Sequence, residues 1–266
     1  MTGASGAFGS GTMRALAARG DRAVGLDVKP SDGVLACDLT DDDQVAGAVA
    51  RAREELGGLD AVVHFAGIGI PNDAGGPVDD AVLRTVQVNL LGAWRVTHAT
   101  LPALVESRGR LVYTASELAY AVLPLVSAYS VAKRGLAAYA DAVRFEYGSR
   151  VSVTTVYPGY VPTPIHDVGL SMGLSLEGKV RKEKVENVVG TVMKALTARR
   201  PRRDTAATVA GNVELRLARH APRLVEAAVR ARTRLDVRRG AYHGVPLARG
   251  LVERFGKEGR VHEPTR

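Results

Sequence analysis

The sequence predicts an α/β fold, a doubly wound parallel sheet with helices on both faces. Apolar runs of strand length alternate with longer stretches of helical period, the pattern of a parallel sheet with covering helices. The chain also opens on a glycine-rich turn, TGASGAFG, that leads straight into the first helical stretch. No internal repeat or low-complexity linker breaks the chain, so residues 1–235 read as one domain, followed by a basic tail over 236–266.

The elements follow in order. Gly9–Arg19 forms a helix after the turn. Ala23–Val28 (AVGLDV) reads as a buried strand and Val34–Ala36 as a shorter one. Asp41–Leu56 starts with acidic residues, which the positive end of a helix dipole favours. Ala61–Phe65 is the next strand. Asp79–Val105 holds two helices, or one interrupted near its start. Arg110–Thr114 and Val151–Val156 are strands on either side of a long amphipathic helix, Ala128–Tyr147, which Gly148 follows. Val185–Ala198 is a helix and Thr205–Val209 a last strand. Val213–Leu235 forms a pair of surface helices broken at Pro222. The Gly-, Arg- and Pro-containing tail is expected to be partly disordered.

Composition excludes some classes. Of 266 residues 46% are hydrophobic, and no run is long and apolar enough to span a bilayer. The N-terminus lacks the basic-then-apolar pattern of a signal peptide. Cys37 is the single cysteine, which rules out an internal disulfide and suits a reducing cytoplasm. The charge is uneven: residues 181–266 hold 21 Lys+Arg against 9 Asp+Glu, and the rest 15 against 19. A basic end of this kind suits either an arginine-rich solvated face or a nucleic-acid or membrane-surface partner. Scattered arginines and few aromatics favour the solvated face, and no specific nucleic acid is expected.

Gly3, Gly6 and Gly9 let the backbone turn tightly and approach a pyrophosphate, whose charge then lies at a helix N-terminus. Asp27 closes the next strand, where a carboxylate can accept from ribose hydroxyls and would repel a 2′-phosphate. NAD is therefore expected over NADP, with Lys29 and Arg22 nearby to blur the choice. Asp38, in CDLTDDD, would bond an adenine amino group or cap a helix. Tyr129 and Lys133, in YSVAK, share one helix face. A free phenol titrates near 10, and an ammonium beside it favours the phenolate, so Tyr129 could exchange a proton with a substrate oxygen.

With these residues in order, the chain resembles the short-chain dehydrogenase/reductase family, in its simple single-domain form with a Rossmann-type sheet. TGASGAFG, Asp27, Asp38, the AG of HFAG, Asn89, Ser116, YSVAK and YPGYVPT recur in the family's sequence and spacing over about residues 1–200. The resemblance implies Asn89, Ser116, Tyr129 and Lys133 as the catalytic set. Ser116 would bond the substrate oxygen, Lys133 the nicotinamide ribose, and Asn89 a water that relays protons. It implies that Ser5, Gly6, Phe8, Leu39, Ala66 and Gly67 line the cofactor. Pro158 and Gly159 would shape the turn below the nicotinamide, and Val161 and Thr163 would bind its carboxamide. The implied substrate is a small alcohol or carbonyl compound. The implied assembly is a homodimer or homotetramer through Asp79–Val105 and Ala128–Tyr147.

Three features depart from the family's simple members. The glycine spacing is TGxxGxxG, as in extended members, which keeps a nucleotide-sugar epimerase or dehydratase as an alternative. A non-catalytic dinucleotide- or nucleic-acid-binding protein is another. His64-Phe65 replaces an asparagine pair, so His64 is expected to brace the sheet or, alternatively, to touch ribose. Met1 abuts Thr2, so the central first strand is apparently missing, with the expectation that the natural product starts upstream. ELAYAVLPLVSA and the segment with Ile165, Leu170, Met172, Leu174 and Leu176 would enclose a hydrophobic substrate or pack on the domain. Glu117 would orient a polar substrate group or face solvent. The residues Val213–Leu235 would pack on their own domain, on a subunit, or at a membrane surface.

Overall fold

A computed structural model describes residues 1–257. In chain order the elements are α1 (Ala7–Ala17), β1 (Gly25–Asp27), β2 (Val34–Ala36), α2 (Asp42–Leu56), β3 (Ala61–His64), α3 (Asp80–Val86), a π-turn (Gln87–Leu91) and α4 (Gly92–Ser107). Then come β4 (Arg110–Thr114), α5 (Ser127–Tyr147), β5 (Ser152–Tyr157), α6 (Asp167–Ser171), α7 (Val185–Thr197), β6 (Asp204–Ala206), α8 (Val209–His220), α9 (Pro222–Arg238) and α10 (Arg249–Lys257).

All strand pairs are parallel. β1 pairs with β2, and β3, β4, β5 and β6 lie side by side in that order. Thr2 bridges to both Leu26 and His64, so Met1 and Thr2 lie between β1 and β3. There the Leu26 amide donates to Met1 O at 2.7 Å, and the Thr2 amide donates to Val63 O at 2.9 Å. The chain reverses its winding at that point, and Asp27 and the glycine turn come out at the adjoining strand ends. Ligands of open parallel sheets bind in that crevice.

Successive strand residues face opposite layers. Leu111 and Tyr113 of β4 join Val62, Val96, Leu104, Leu136 and Val153 in the larger core, beneath α2, α4 and α5. Val112 turns the other way and packs with Val63, Val156 and Val192, beneath α1 and α7. This double burial explains why the strands read as continuous apolar runs.

The first and last strands are shorter than the sequence suggests. AVGLDV pairs only over Gly25–Asp27, and the last strand is Asp204–Ala206 because Thr208 already caps α8, its hydroxyl accepting from the Gly211 amide. The helical stretch from Asp79 is interrupted, as one of its two readings has it, by the π-turn. Asp41 caps α2, accepting from the Asp43 and Gln44 amides. Asp38 is therefore not that cap.

Tail residues 236–257 are folded. Tyr242, Val245, Ala248 and Leu251 are buried with Leu125, and Leu174 packs against them. Their apolar side chains are spread too thinly in sequence to read as an element and become a core only when α10 docks beside α9. The remainder of the tail, 258–266, lies outside the described residues. Many arginines of the basic end are ion-paired: Arg181 with Glu214, Arg203 with Asp141, Arg219 with Asp204 and Arg254 with Asp73. No described helix is long and apolar enough to cross a membrane.

Candidate active site

A cavity of about 710 Å³ runs from the glycine turn to the segment after Thr163. At one end lie Gly3, Ser5, Gly6, Phe8 and Gly9, with Asp27, Asp38 and Leu39 beside them. Ala66 and Gly67 follow, then Ser116, Tyr129 and Lys133, then Pro158, Gly159, Val161 and Thr163. Of the residues expected to be catalytic or to bind the cofactor, Asn89 alone is off its wall.

The glycine turn is shaped by close backbone approach. Gly3 has φ +64°, and a Cβ there would lie 2.6 Å from the Ala66 nitrogen. A Cβ on Gly9 would lie 2.3 Å from Gly3 O and 2.5 Å from Ala4 Cα. Gly6, at the N-terminus of α1, is under no such pressure from the protein, since its Cβ would sit 3.3 Å from Gly3 O. No acidic residue occupies the first turn of α1, so its amides and dipole face the cavity uncompensated.

Asp27 accepts from the Ser5 amide and from the Lys29 amide, both at 3.1 Å. It thereby ties the turn to the end of β1. Asp38 accepts from the amide and hydroxyl of Thr40 at 2.9 and 2.8 Å and lies 3.6 Å from Arg84. The Thr40 amide is the largest influence holding its carboxyl below the usual range, helped by the Thr40 hydroxyl and Arg84. Arg84 also lines the cavity, a cation that no sequence motif marked.

The centre of the site is built by β4, α5 and the π-turn. Ser116 lies just past β4, and its Oγ accepts from the Leu118 amide at 3.2 Å, so it also caps the following short turn. Tyr129 and Lys133 come from the first turns of α5. Asn72 holds that helix start: its Oδ1 accepts from the Ala128 amide at 3.0 Å and its Nδ2 donates to Ser127 Oγ at 2.5 Å. Lys133 Nζ lies 5.7 Å from the Tyr129 ring centre and donates to Thr114 O at 2.9 Å. Burial lowers the Lys133 ammonium to about 8.

Lys133 by itself does not lower the Tyr129 phenol. Burial pushes it up to about 12, and only the Ser116 hydroxyl works against this. The reason is physical: the phenol is desolvated, while the Lys133 ammonium sits over the ring and turns toward Thr114.

Asn89 is buried on the π-turn and clasps the backbone of Ile68. Its Oδ1 accepts from the Ile68 amide at 2.7 Å, and its Nδ2 donates to Ile68 O at 2.8 Å. Gly67 fits between Asn89 and Lys133, since a Cβ there would lie 3.1 Å from Asn89 Oδ1 and 3.3 Å from Lys133 Nζ. His64 braces the sheet: it stacks on Tyr113 with ring centres 4.9 Å apart, and Thr97 Oγ1 lies 3.2 Å from its Nε2. It is not on the cavity wall, and burial lowers it to about 3, so it is neutral throughout the ordinary pH range.

The sequence matches the model of the short chain dehydrogenase family over residues 1–169. The chain belongs to that family. Oxidoreductase UcpA of Escherichia coli is 30% identical to this short-chain dehydrogenase over 217 residues, covering 75% of this chain and 80% of its own. A short chain dehydrogenase from Burkholderia cenocepacia, solved in complex with NADP, superposes with a TM-score of 0.73 at 24% identity, covering 86% of this chain and 95% of its own. A 3-ketoacyl-(acyl-carrier-protein) reductase from Brucella melitensis, complexed with NADH, gives 0.67 at 22%, covering 77% and 93%. The short-chain dehydrogenase described here is thus an oxidoreductase whose fold implies a nicotinamide dinucleotide.

At the far end the cavity is apolar. Leu118, Leu123 and Leu125 face Ile165, Leu170, Leu174 and Leu176 across it. Met172 is left out and is partly exposed. Tyr242 and Lys179 also reach this end, with Lys179 Nζ 3.2 Å from the Tyr242 hydroxyl. Nothing local in the sequence announced Tyr242, which arrives from the folded tail. Glu117 contradicts both of its expectations: it is buried, and it lies behind the cavity wall against Gly159 and Gly211.

Proposed function

We propose that this protein interconverts an apolar alcohol and the matching ketone or aldehyde, with NAD(H) as cofactor and Tyr129 as the acid/base. The observation that carries the reading is the convergence of Ser116, Tyr129 and Lys133 on one wall of a cavity that begins at the glycine turn. The residues fit a dinucleotide: an uncompensated helix start for the pyrophosphate, Asp27 for the adenosine ribose, and Lys133 for the nicotinamide ribose. That cofactor would supply or accept the hydride, and the protein's part is placement and the proton.

Ser116 Oγ would donate to the substrate oxygen while accepting from Leu118. Tyr129 would give that oxygen its proton in reduction and take it in oxidation. Burial keeps the phenol protonated, which suits a general acid. A cationic nicotinamide beside it would favour the phenolate needed in the other direction. Lys133 and Asn89 flank Gly67, the position from which a water chain would carry the proton out.

NAD is favoured because Asp27 presents a carboxylate at the end of β1, against which Lys29 and Arg84 supply positive charge on the same wall. The far end, lined mostly by apolar side chains with Lys179, Tyr242, Tyr160, His166 and Ser175 as its polar groups, favours a hydrophobic substrate. Leu83, Trp94, Val131 and Phe145 are exposed on α3, α4 and α5, which supports a homodimer or homotetramer through those helices.

The test is Tyr129→Phe, assayed by NADH absorbance against a panel of alcohols and ketones. Turnover should fall about 10²–10⁴-fold, with NADH binding within a few-fold of wild type. Undiminished turnover would remove Tyr129 from the chemistry. Turnover on nucleotide sugars instead would favour an epimerase or dehydratase.

A further inference from the structure

Two buried carboxyl groups, Glu117 and Glu183, have no part in the proton-transfer site, and neither lines the cavity. Glu117 directly follows Ser116. Glu183 ends the segment that leaves the sheet at Thr163 and roofs the apolar end. The two meet at Gly159: a Cβ there would lie 3.1 Å from Glu117 Oε2 and 3.4 Å from Glu183 Cδ, so a bare backbone is needed to admit both.

Glu183 is fully engaged. Its Oε2 accepts from the Gly159 amide at 3.0 Å, and its Oε1 accepts from the Thr208 hydroxyl at 2.8 Å. That hydroxyl in turn accepts from the Gly211 amide at 3.0 Å. The backbone repeats the tie: the Tyr160 amide donates to Arg181 O at 2.9 Å, the Glu183 amide to Tyr160 O at 2.7 Å, and the Glu117 amide to Pro158 O at 3.0 Å. Both ends of the roof, the Ser116 turn and the start of α8 are therefore joined at Gly159.

Glu117 is not satisfied in this way. Its Oε1 has no hydrogen-bond partner and lies 2.6 Å from where a Gly211 Cβ would be. The charged groups facing it are Glu183 from the end of the roof, Glu214 from α8, and Arg181, which already binds Glu214. With the Gly159 amide and the Thr208 hydroxyl both taken by Glu183, a carboxylate charge on Glu117 has no donor to stabilise it.

We infer that Glu117 and Glu183 are a positioning pair carrying one negative charge between them, which locks the Pro158–Gly159 turn to the base of the roof and so sets affinity for the cofactor. This rests on the reading of that turn as the floor of the nicotinamide site. Glu183, whose two oxygens both accept hydrogen bonds, is the member that grips Gly159, and Glu117 is the neutral one. Burial, with Glu183 and Glu214 adding to it, raises Glu117 to about 8. Above that pH a second charge arrives, repels Glu183 and loosens the turn.

The experiment measures NADH and NADPH affinity by fluorescence at pH 7 and pH 9, for wild type and Glu117→Gln. If only the singly charged pair binds, affinity in wild type falls about tenfold across that interval, as expected for a competent fraction governed by a group at about 8. Lys133 titrates in the same range and acts in both proteins alike, so the ratio between them is the readout. The alkaline loss should be about tenfold greater in wild type than in E117Q. Equal losses would overturn the inference. Glu183→Gln gives a second readout, with cofactor binding weakened about tenfold at pH 7, and binding equal to wild type would count against the pair. If wild type binds neither nucleotide at pH 7, the oxidoreductase reading fails and this inference falls with it.

Discussion

Lys133 gives a prediction in which stability and function move in opposite directions. Its ammonium is buried, donates to Thr114 O, and is lowered from 10.5 to about 8 by desolvation. That lowering corresponds to about 3 kcal/mol held against the charged form at neutral pH. Lys133→Met keeps the length, removes the charge and gives up one hydrogen bond of about 1 kcal/mol. The empty protein should gain about 2 kcal/mol at pH 7, which for a chain of this size raises the melting temperature by about 4–8 °C.

The pH dependence follows from the direction of the shift. Between about 8 and 10.5 the unfolded chain binds a proton at Lys133 that the folded chain has lost, so wild-type stability rises with pH there. The advantage of K133M should be full below pH 8 and fade toward pH 10.5. Turnover should be lost throughout. Calorimetric melts of both proteins from pH 6 to 10 test this. A K133M protein that melts below wild type at pH 7, or whose advantage does not vary with pH, would show that the buried ammonium carries no such cost.

Further predictions concern other parts of the molecule. Gly9→Ala places a Cβ against backbone that cannot give way, so it should cost about 1–3 kcal/mol and weaken NADH binding more than tenfold; a fluorescence titration equal to wild type would contradict the reading of the turn. Asp27→Ser removes the carboxylate that would repel a 2′-phosphate and should raise the NADPH-to-NADH preference at least tenfold, measured as a ratio of kcat/KM values. Leu251→Ala should cost about 2–5 kcal/mol in urea unfolding if the core that includes α10 unfolds with the rest; a cost under about 0.5 kcal/mol would mean it melts separately.

The sheet, its parallel winding and the residues proposed for the site were legible in the sequence. These are written in local patterns: apolar runs buried on both faces, glycines where backbones touch, and a tyrosine and lysine one helical turn apart. The sequence also admitted an interruption in the helical stretch from Asp79, though not that a π-turn would carry Asn89 there.

Tertiary structure decided what depends on neighbours distant in the chain. Burial, not the nearby ammonium, dominates the Tyr129 phenol, because desolvation is set by everything packed around it. Glu117 lies off the cavity wall because Gly159 and Gly211, from other elements, leave room for its carboxyl behind it. Tyr242 reaches the cavity because the scattered apolar residues of the tail form a core only after α9 and α10 pair. Local spacing encodes direction along one helix or strand; burial and charge environment are sums over the whole fold.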